Sequence, residues 1–128
     1  MKEKIRYIKT LIEKRRAREK EKRFVIEGEH LLGEAFGSIV FAFYAEERPI
    51  IKKLKDAGIP VFKASKKQFK ELSLVEAPQW VMAVAKQAET SLEDLPKKGL
   101  VLFVAGLQDP GNLGAIIRTA DAAGISGV

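Results

Sequence analysis

The stretch LVLFVAGLQDPGNLGAIIRTADAAGISGV, residues 100–128, carries the clearest architectural signal in the chain. Leu100 to Ala105 is a continuous apolar run, the pattern of a strand buried on both faces of a parallel sheet. Asp109-Pro110-Gly111-Asn112 has strong turn chemistry, because Pro presets φ and Gly or Asn accepts positive φ. Leu113 to Ala123 reads as a helix, and Ile125 to Val128 as a second strand beginning. Strand, loop and helix in that order open a βαβ unit, and one such element cannot cover both faces of a parallel sheet. Residues 100–128 are therefore expected to be the first element of a larger domain.

The loop also carries candidate chemistry. It lies between the end of a strand and the start of a helix, where open α/β sheets bind ligands. Asn112 is a candidate N-cap, leaving free backbone N–H groups facing the loop. Arg118 lies six residues on, about 9 Å along the axis at 1.5 Å per residue, and its side chain leans back toward the helix start. A fixed cation beside a helix N-terminus suits a phosphate or a developing oxyanion. The same composition also suits a plain tight turn with a surface arginine, and spacing alone leaves both readings open.

Upstream, Gln87 to Gly99 is polar, contains Pro96 and lacks apolar periodicity, so it reads as a linker. Residues 1–86 alternate between strand and helix patterns. Ile5, Ile8, Leu11 and Ile12 form one helical stripe; Phe24 to Ile26 and Ile39 to Ala45 read as strands; Glu29 to Phe36 reads as a helix closed by Gly37. Glu46 to Ala57 reads as a helix with Ile50, Ile51 and Leu54 inward and Pro49 near its first turn, and Gly58 supplies its left-handed end. A strand at Ile59 to Phe62, a helix at Lys66 to Leu72 capped by Ser65, and a strand at Trp80 to Ala85 complete the pattern. Such alternation predicts an α/β sandwich with helices covering a central sheet. The organisation expected is an α/β domain at 1–86, a linker at 87–99 and the start of a second domain at 100–128.

Composition narrows the function. The 128 residues include no Cys and one His, which excludes disulfides and thiolate chemistry and argues against a zinc site or a His-dependent triad. No metal is expected. No apolar run approaches 18 residues and the opening MKEKIRYIKT lacks the apolar stretch of a signal peptide, so a cytoplasmic location without a membrane span is expected. The net charge is +6, yet residues 1–23 hold 11 basic and 4 acidic side chains while residues 24–128 hold 12 and 13. All the excess lies in the first segment. Lys14, Arg15, Arg16, Arg18, Lys20, Lys22 and Arg23 sit where the apolar stripe has stopped, as candidates for contact with a polyanion such as RNA. A solvated helix face is the plain alternative.

FVAGLQDPGNLGAIIRTADAAGISGV closely resembles the first motif of the SpoU, or TrmH, family of RNA ribose methyltransferases, members of the knotted SPOUT superfamily. KIRYIKTLIEKRRAREKEKRFVIEGEHLL, SKKQFKELS and APQWVMAV resemble segments of that family's N-terminal substrate-binding domain. The resemblance implies a three-layer α/β/α sandwich like the kink-turn-binding ribosomal proteins, followed by the first strand-helix element of a trefoil-knot domain. It implies transfer of a methyl group from S-adenosylmethionine to a ribose 2′-hydroxyl, with ribosomal RNA as partner and a homodimer formed through the knotted domain. Arg118 and Asn112 match polar positions of the first motif, Arg118 helping to activate the hydroxyl and Asn112 shaping the site. Glu27 matches the acidic position of FVIEG, expected near the RNA surface.

Two departures bear on the reading. Where the family has Gly after Pro-Gln, this chain has Trp80, which either fills a gap in the core or offers a surface on which a base stacks. The second and third family motifs, which bind the cofactor, do not occur in these residues, so the chain alone is expected to be inactive and not to bind S-adenosylmethionine. The alternative is a stand-alone module that binds structured RNA. His30 is expected at the helix surface or half-buried and without a catalytic role, and Phe41, Phe43 and Tyr44 in the core or an interface.

Overall fold

The computed structural model describes residues 1–73 and 75–128, which divide into two compact units, Met1–Ala88 and Glu89–Val128. In the first, the element order is α1 (Lys2–Glu13), α2 (Arg15–Glu21), β1 (Arg23–Glu27), α3 (Glu29–Glu34), β2 (Ile39–Tyr44), α4 (Pro49–Asp56), β3 (Val61–Lys63), α5 (Lys66–Lys70) and β4 (Val81–Lys86). The sheet order is β1-β4-β2-β3; β4 runs antiparallel to both its neighbours, and β2 pairs parallel with β3.

The alternation of β4 explains the layers. Val81, Ala83 and Ala85 join Leu32 of α3 and Ile50, Ile51 and Leu54 of α4 in one apolar cluster. Met82 and Val84 join Ile8 and Leu11 of α1 and Phe69 of α5 in the other. Because both faces of the strand are buried, β4 lacks the polar alternation of a one-sided strand. The fold is thus the expected α/β sandwich, with two helical layers enclosing one sheet. The strict period of two breaks in β2, where a register irregularity between Ile39 and Phe41 places Val40 and Phe41 on the same side. Phe41, Phe43 and Tyr44 are buried, so their rings build the core and do not form an open platform.

Local and distant side chains both fix the helix starts. Ser65 and Gln68 form a reciprocal capping box on α5. The Gln79 carbonyl oxygen accepts from the Glu29 N–H at 3.2 Å, and the Glu29 carboxylate accepts from the Ile50 N–H at 3.2 Å. Gly28 adopts φ 106°, and a Cβ there would approach the Gln79 amide oxygen to 3.0 Å. Gly37, expected as a helix cap, lies instead inside a 3₁₀ turn at Phe36–Ser38; α3 ends earlier, with Ala35 as its cap. The short turn takes up the last residues of the expected helix before β2 begins.

The second unit differs from expectation in three places. The apolar run at Leu100 to Ala105 forms only an isolated parallel bridge, Val101 with Gly127, and Phe103 is 87% exposed. A parallel strand is buried by its neighbours, and here a single residue pairs. The helix α6 spans Pro110–Ala122, three residues earlier than the pattern indicates, because Pro110 takes the first helical position and Asp109 caps it. The stretch read as a linker contains a 3₁₀ turn at Leu92–Asp94 held by a Ser91–Asp94 capping box.

Candidate nucleic-acid interface

The Lys14–Arg23 segment contains the short helix α2, set off from α1 by a break at Lys14, which has extended backbone and caps both helices, and ends at Arg23, the first residue of β1. None of the residues of α2 is buried. Lys14, Arg16, Lys20 and Lys22 are exposed and make no ion pair among the described residues. Arg16 and Lys20 are four apart and share a helix face.

The other three basic residues have structural ties. Arg15 pairs with Glu19 at 2.7 Å, a surface pair that adds little stability. The Arg18 guanidinium donates to the carbonyls of Leu11 and Ile12 at 2.7 and 2.9 Å, satisfying acceptors left open at the end of α1. Arg23 donates to the Tyr7 hydroxyl at 3.3 Å. Basic side chains that alternate between free and tied are not visible in the charge count.

Glu27 lies elsewhere. It ends β1 opposite Met82, whereas Arg23 begins β1 opposite Lys86, so the two are about 13 Å apart along the strand at 3.3 Å per residue. Its carboxylate is buried and accepts from the Ser73 hydroxyl at 2.9 and 3.1 Å, tying β1 to the segment before β4. The structure therefore brings Lys14 to Arg23 together and sets Glu27 apart from them.

Trp80 is half-buried. Its ring centroid lies 5.8 Å from that of Phe69, and the Lys66 ammonium lies 5.0 Å above it. Its φ is 61°, in the left-handed region that favours Gly. This backbone conformation by itself favours Gly at position 80, a reason distinct from close approach. Lys66 also pairs with Glu46 at 2.5 Å. The hydrogen bond from Lys66 holds the Glu46 carboxyl below the usual carboxylate range, and Lys66 and Arg48 charge adds to the effect.

In the second unit, the Asp109 carboxylate accepts from the Gly111 N–H at 2.8 Å, so Asp109, not Asn112, caps α6. Asn112 occupies the first turn and is exposed. Arg118 is exposed and folds back along the helix: its guanidinium lies 3.4 Å from where a Cβ on Gly114 would stand. Among the described residues Arg118 and Asn112 make no hydrogen bond to each other and no ion pair.

A hollow of about 390 Å³ beside α6 is lined by Leu102, Ile116, Thr119, Ala120 and Ile125 among others. Its one hydroxyl, on Thr119, already donates to the Ala115 carbonyl. S-adenosylmethionine has a purine, a ribose diol and an amino-acid head, which need several converging polar groups. These residues do not fit that group. Among the described residues no cluster of His, Asp and Glu could hold a metal, and no helix is long and apolar enough to cross a membrane.

Residues 2–83 match the MRM3-like substrate binding domain, a span that takes in both sides of the core as far as the middle of β4 and leaves out only its Val84 and Ala85. The chain belongs to this family. The MRM3-like chain is 39% identical over 116 residues to the 23S rRNA (guanosine(2553)-2′-O)-methyltransferase RlmP of Bacillus subtilis, covering 89% of this chain and 46% of that protein. It is 30% identical to the human protein named rRNA methyltransferase 3, mitochondrial, over 94% of this chain and 31% of that one. A crystal structure of an AdoMet-bound rRNA methyltransferase from Sinorhizobium meliloti superposes with a TM-score of 0.75 at 28% identity, covering 96% of this chain and 49% of that chain. The MRM3-like chain spans about half the length of these relatives or less.

Proposed function

We propose that this chain is the RNA-recognition part and first catalytic element of a SpoU-type ribose 2′-O-methyltransferase acting on ribosomal RNA. The observation that carries the reading is the family match over residues 2–83, continued through the 39% identity with a relative whose name specifies a 23S rRNA ribose product. In this reading residues 1–86 grip structured RNA, residues 87–99 connect, and residues 100–128 open the catalytic domain. Lys14, Arg16, Lys20 and Lys22 neutralise RNA phosphates, supported by their exposure and freedom from ion pairs. Arg15, Arg18 and Arg23 hold the segment in shape and add to its field, and Glu27 anchors β1 beneath the surface.

Arg118 holds a phosphate of the target nucleotide and stabilises the oxyanion that forms as its 2′-hydroxyl loses a proton. A guanidinium stays charged near neutral pH, so proton removal falls to water or to the phosphate. Asn112, in the first turn of α6, shapes the same site. S-adenosylmethionine supplies the methyl group in the whole protein, which acts as a cytoplasmic homodimer and binds the cofactor through segments outside these residues.

The test is methyl transfer by the whole protein into ribosomal RNA. Arg118→Lys is expected to lower transfer about tenfold or more, because an ammonium lacks planar two-point recognition. Unchanged transfer with Arg118→Lys removes Arg118 from that role, and absence of any 2′-O-methyl product with the unaltered protein overturns the function.

A further inference from the structure

The sheet separates charge as well as cores. Ile8 and Leu11 of α1, Ala17 of α2 and Phe69 of α5 all pack on the same side, against Phe41, Phe43, Met82 and Val84. The other side carries α3 and α4. Helices α1, α2 and α5 together hold eleven Lys and Arg against four Glu. Helices α3 and α4 hold three Lys against three acids, Glu29, Glu34 and Asp56. One helical layer is therefore strongly positive and the other balanced, although the chain after residue 23 is nearly neutral as a whole.

The positive layer is continuous. The Lys4 ammonium, near the start of α1, lies 5.1 Å from the Phe41 ring and 4.7 Å from the Phe62 ring, so this end of α1 sits over β2 and β3. Chain leaving β3 passes through Ala64 and Ser65 directly into α5. Within α5, Lys66 is engaged by Glu46 and the Trp80 ring. Lys67 and Lys70 are exposed, three apart and hence neighbours on the helix surface, with no ion pair among the described residues. No large apolar side chain of α2 or α5 is exposed, so the layer lacks the apolar anchor of a membrane-surface helix.

We propose that the RNA path continues from α2 across α1 onto α5, where Lys67 and Lys70 neutralise phosphates of the same RNA. The inference rests on the RNA-binding reading above and adds a second phosphate site about half the domain's sequence away from the first. The α4 layer, including its free Lys52 and Lys53, faces away from the RNA.

The test is fluorescence anisotropy of a labelled hairpin RNA with an internal bulge, titrated with the 128-residue chain over a salt series. Lys67→Gln with Lys70→Gln is expected to weaken binding about tenfold at low salt and to reduce the log–log salt slope by about 1.5, at roughly 0.7–0.9 per phosphate. Lys52→Gln with Lys53→Gln changes neither, and Lys67→Arg with Lys70→Arg restores both. Thermal melting of each variant checks that it is folded. If the α5 pair behaves like the α4 pair while Lys14→Gln with Arg16→Gln weakens binding, this inference falls and RNA binding stands. If both pairs weaken binding equally, the layer carries no path and the inference also falls. If the unaltered chain shows no salt-dependent affinity for the RNA, the underlying reading fails with it.

Discussion

The indole of Trp80 packs 5.8 Å from the Phe69 ring while its own backbone holds φ 61°. Packing and backbone thus pull in opposite directions at one residue. A Cβ in the left-handed region costs about 1–2 kcal/mol, and removing a packed Trp ring costs about 3 kcal/mol, less for one half-buried. Trp80→Gly and Trp80→Ala are therefore both expected to destabilise the first unit in urea, with the Gly variant more stable than the Ala variant by about 1 kcal/mol. An Ala variant equal to or more stable than the Gly variant removes backbone strain from the account of this position.

Arg18 and Arg16 stand two residues apart yet are expected to respond differently. Arg18→Gln deprives the Leu11 and Ile12 carbonyls of their donor and lowers stability by about 1 kcal/mol. Arg16→Gln leaves the melting temperature unchanged and reduces the salt slope of RNA binding by about one. Equal melting shifts in the two variants contradict the division of this segment into tied and free charges.

At α6 the question is which side chain starts the helix. Asp109→Ala removes the acceptor of the Gly111 N–H, a loss of about 1 kcal/mol that raises local hydrogen exchange roughly fivefold. Asn112→Ala leaves exchange in that turn unaltered. Faster exchange in the Asn112 variant alone returns the capping role to Asn112.

The Glu46 carboxyl titrates below an ordinary glutamate because Lys66 donates a hydrogen bond to it. Its contribution to folding is complete above the ordinary value and is lost as the pH falls through the lowered one. Carbon-13 NMR of the Glu46 carboxyl is expected to record that low midpoint and to show it rising toward the ordinary value in Lys66→Gln. A midpoint indifferent to Lys66 disproves the link in solution.

The linear order of residues discloses whatever depends on near neighbours. Ser65 three residues before Gln68, Gly58 after Leu54, and the apolar inward positions of α4 all stand where local pattern puts them, because a cap or an amphipathic stripe is decided within one or two turns. Contacts between distant segments are not written that way. Gln79 closing on the Glu29 N–H joins residues fifty apart, and Arg18 reaching Leu11 looks in sequence like one more free cation. The α6 boundary is legible in principle, since Asp before Pro is a standard helix start, but the turn-forming content of Asp109 to Asn112 masks it. In the site, the clustering of basic residues follows from composition, whereas their separation from Glu27 follows only from the direction of β1.

Val40 is a supernumerary residue in an otherwise unbroken ladder between β2 and β4. Ile39 and Phe41 face the adjacent residues Ala85 and Val84 of β4, so loss of Val40 would leave a regular ladder with Ala42, Phe43 and Tyr44 on their present sides. Val40 thus adds apolar cover on the α1 side of the sheet without re-assigning any other side chain of β2, and the two cores keep their contents with or without it.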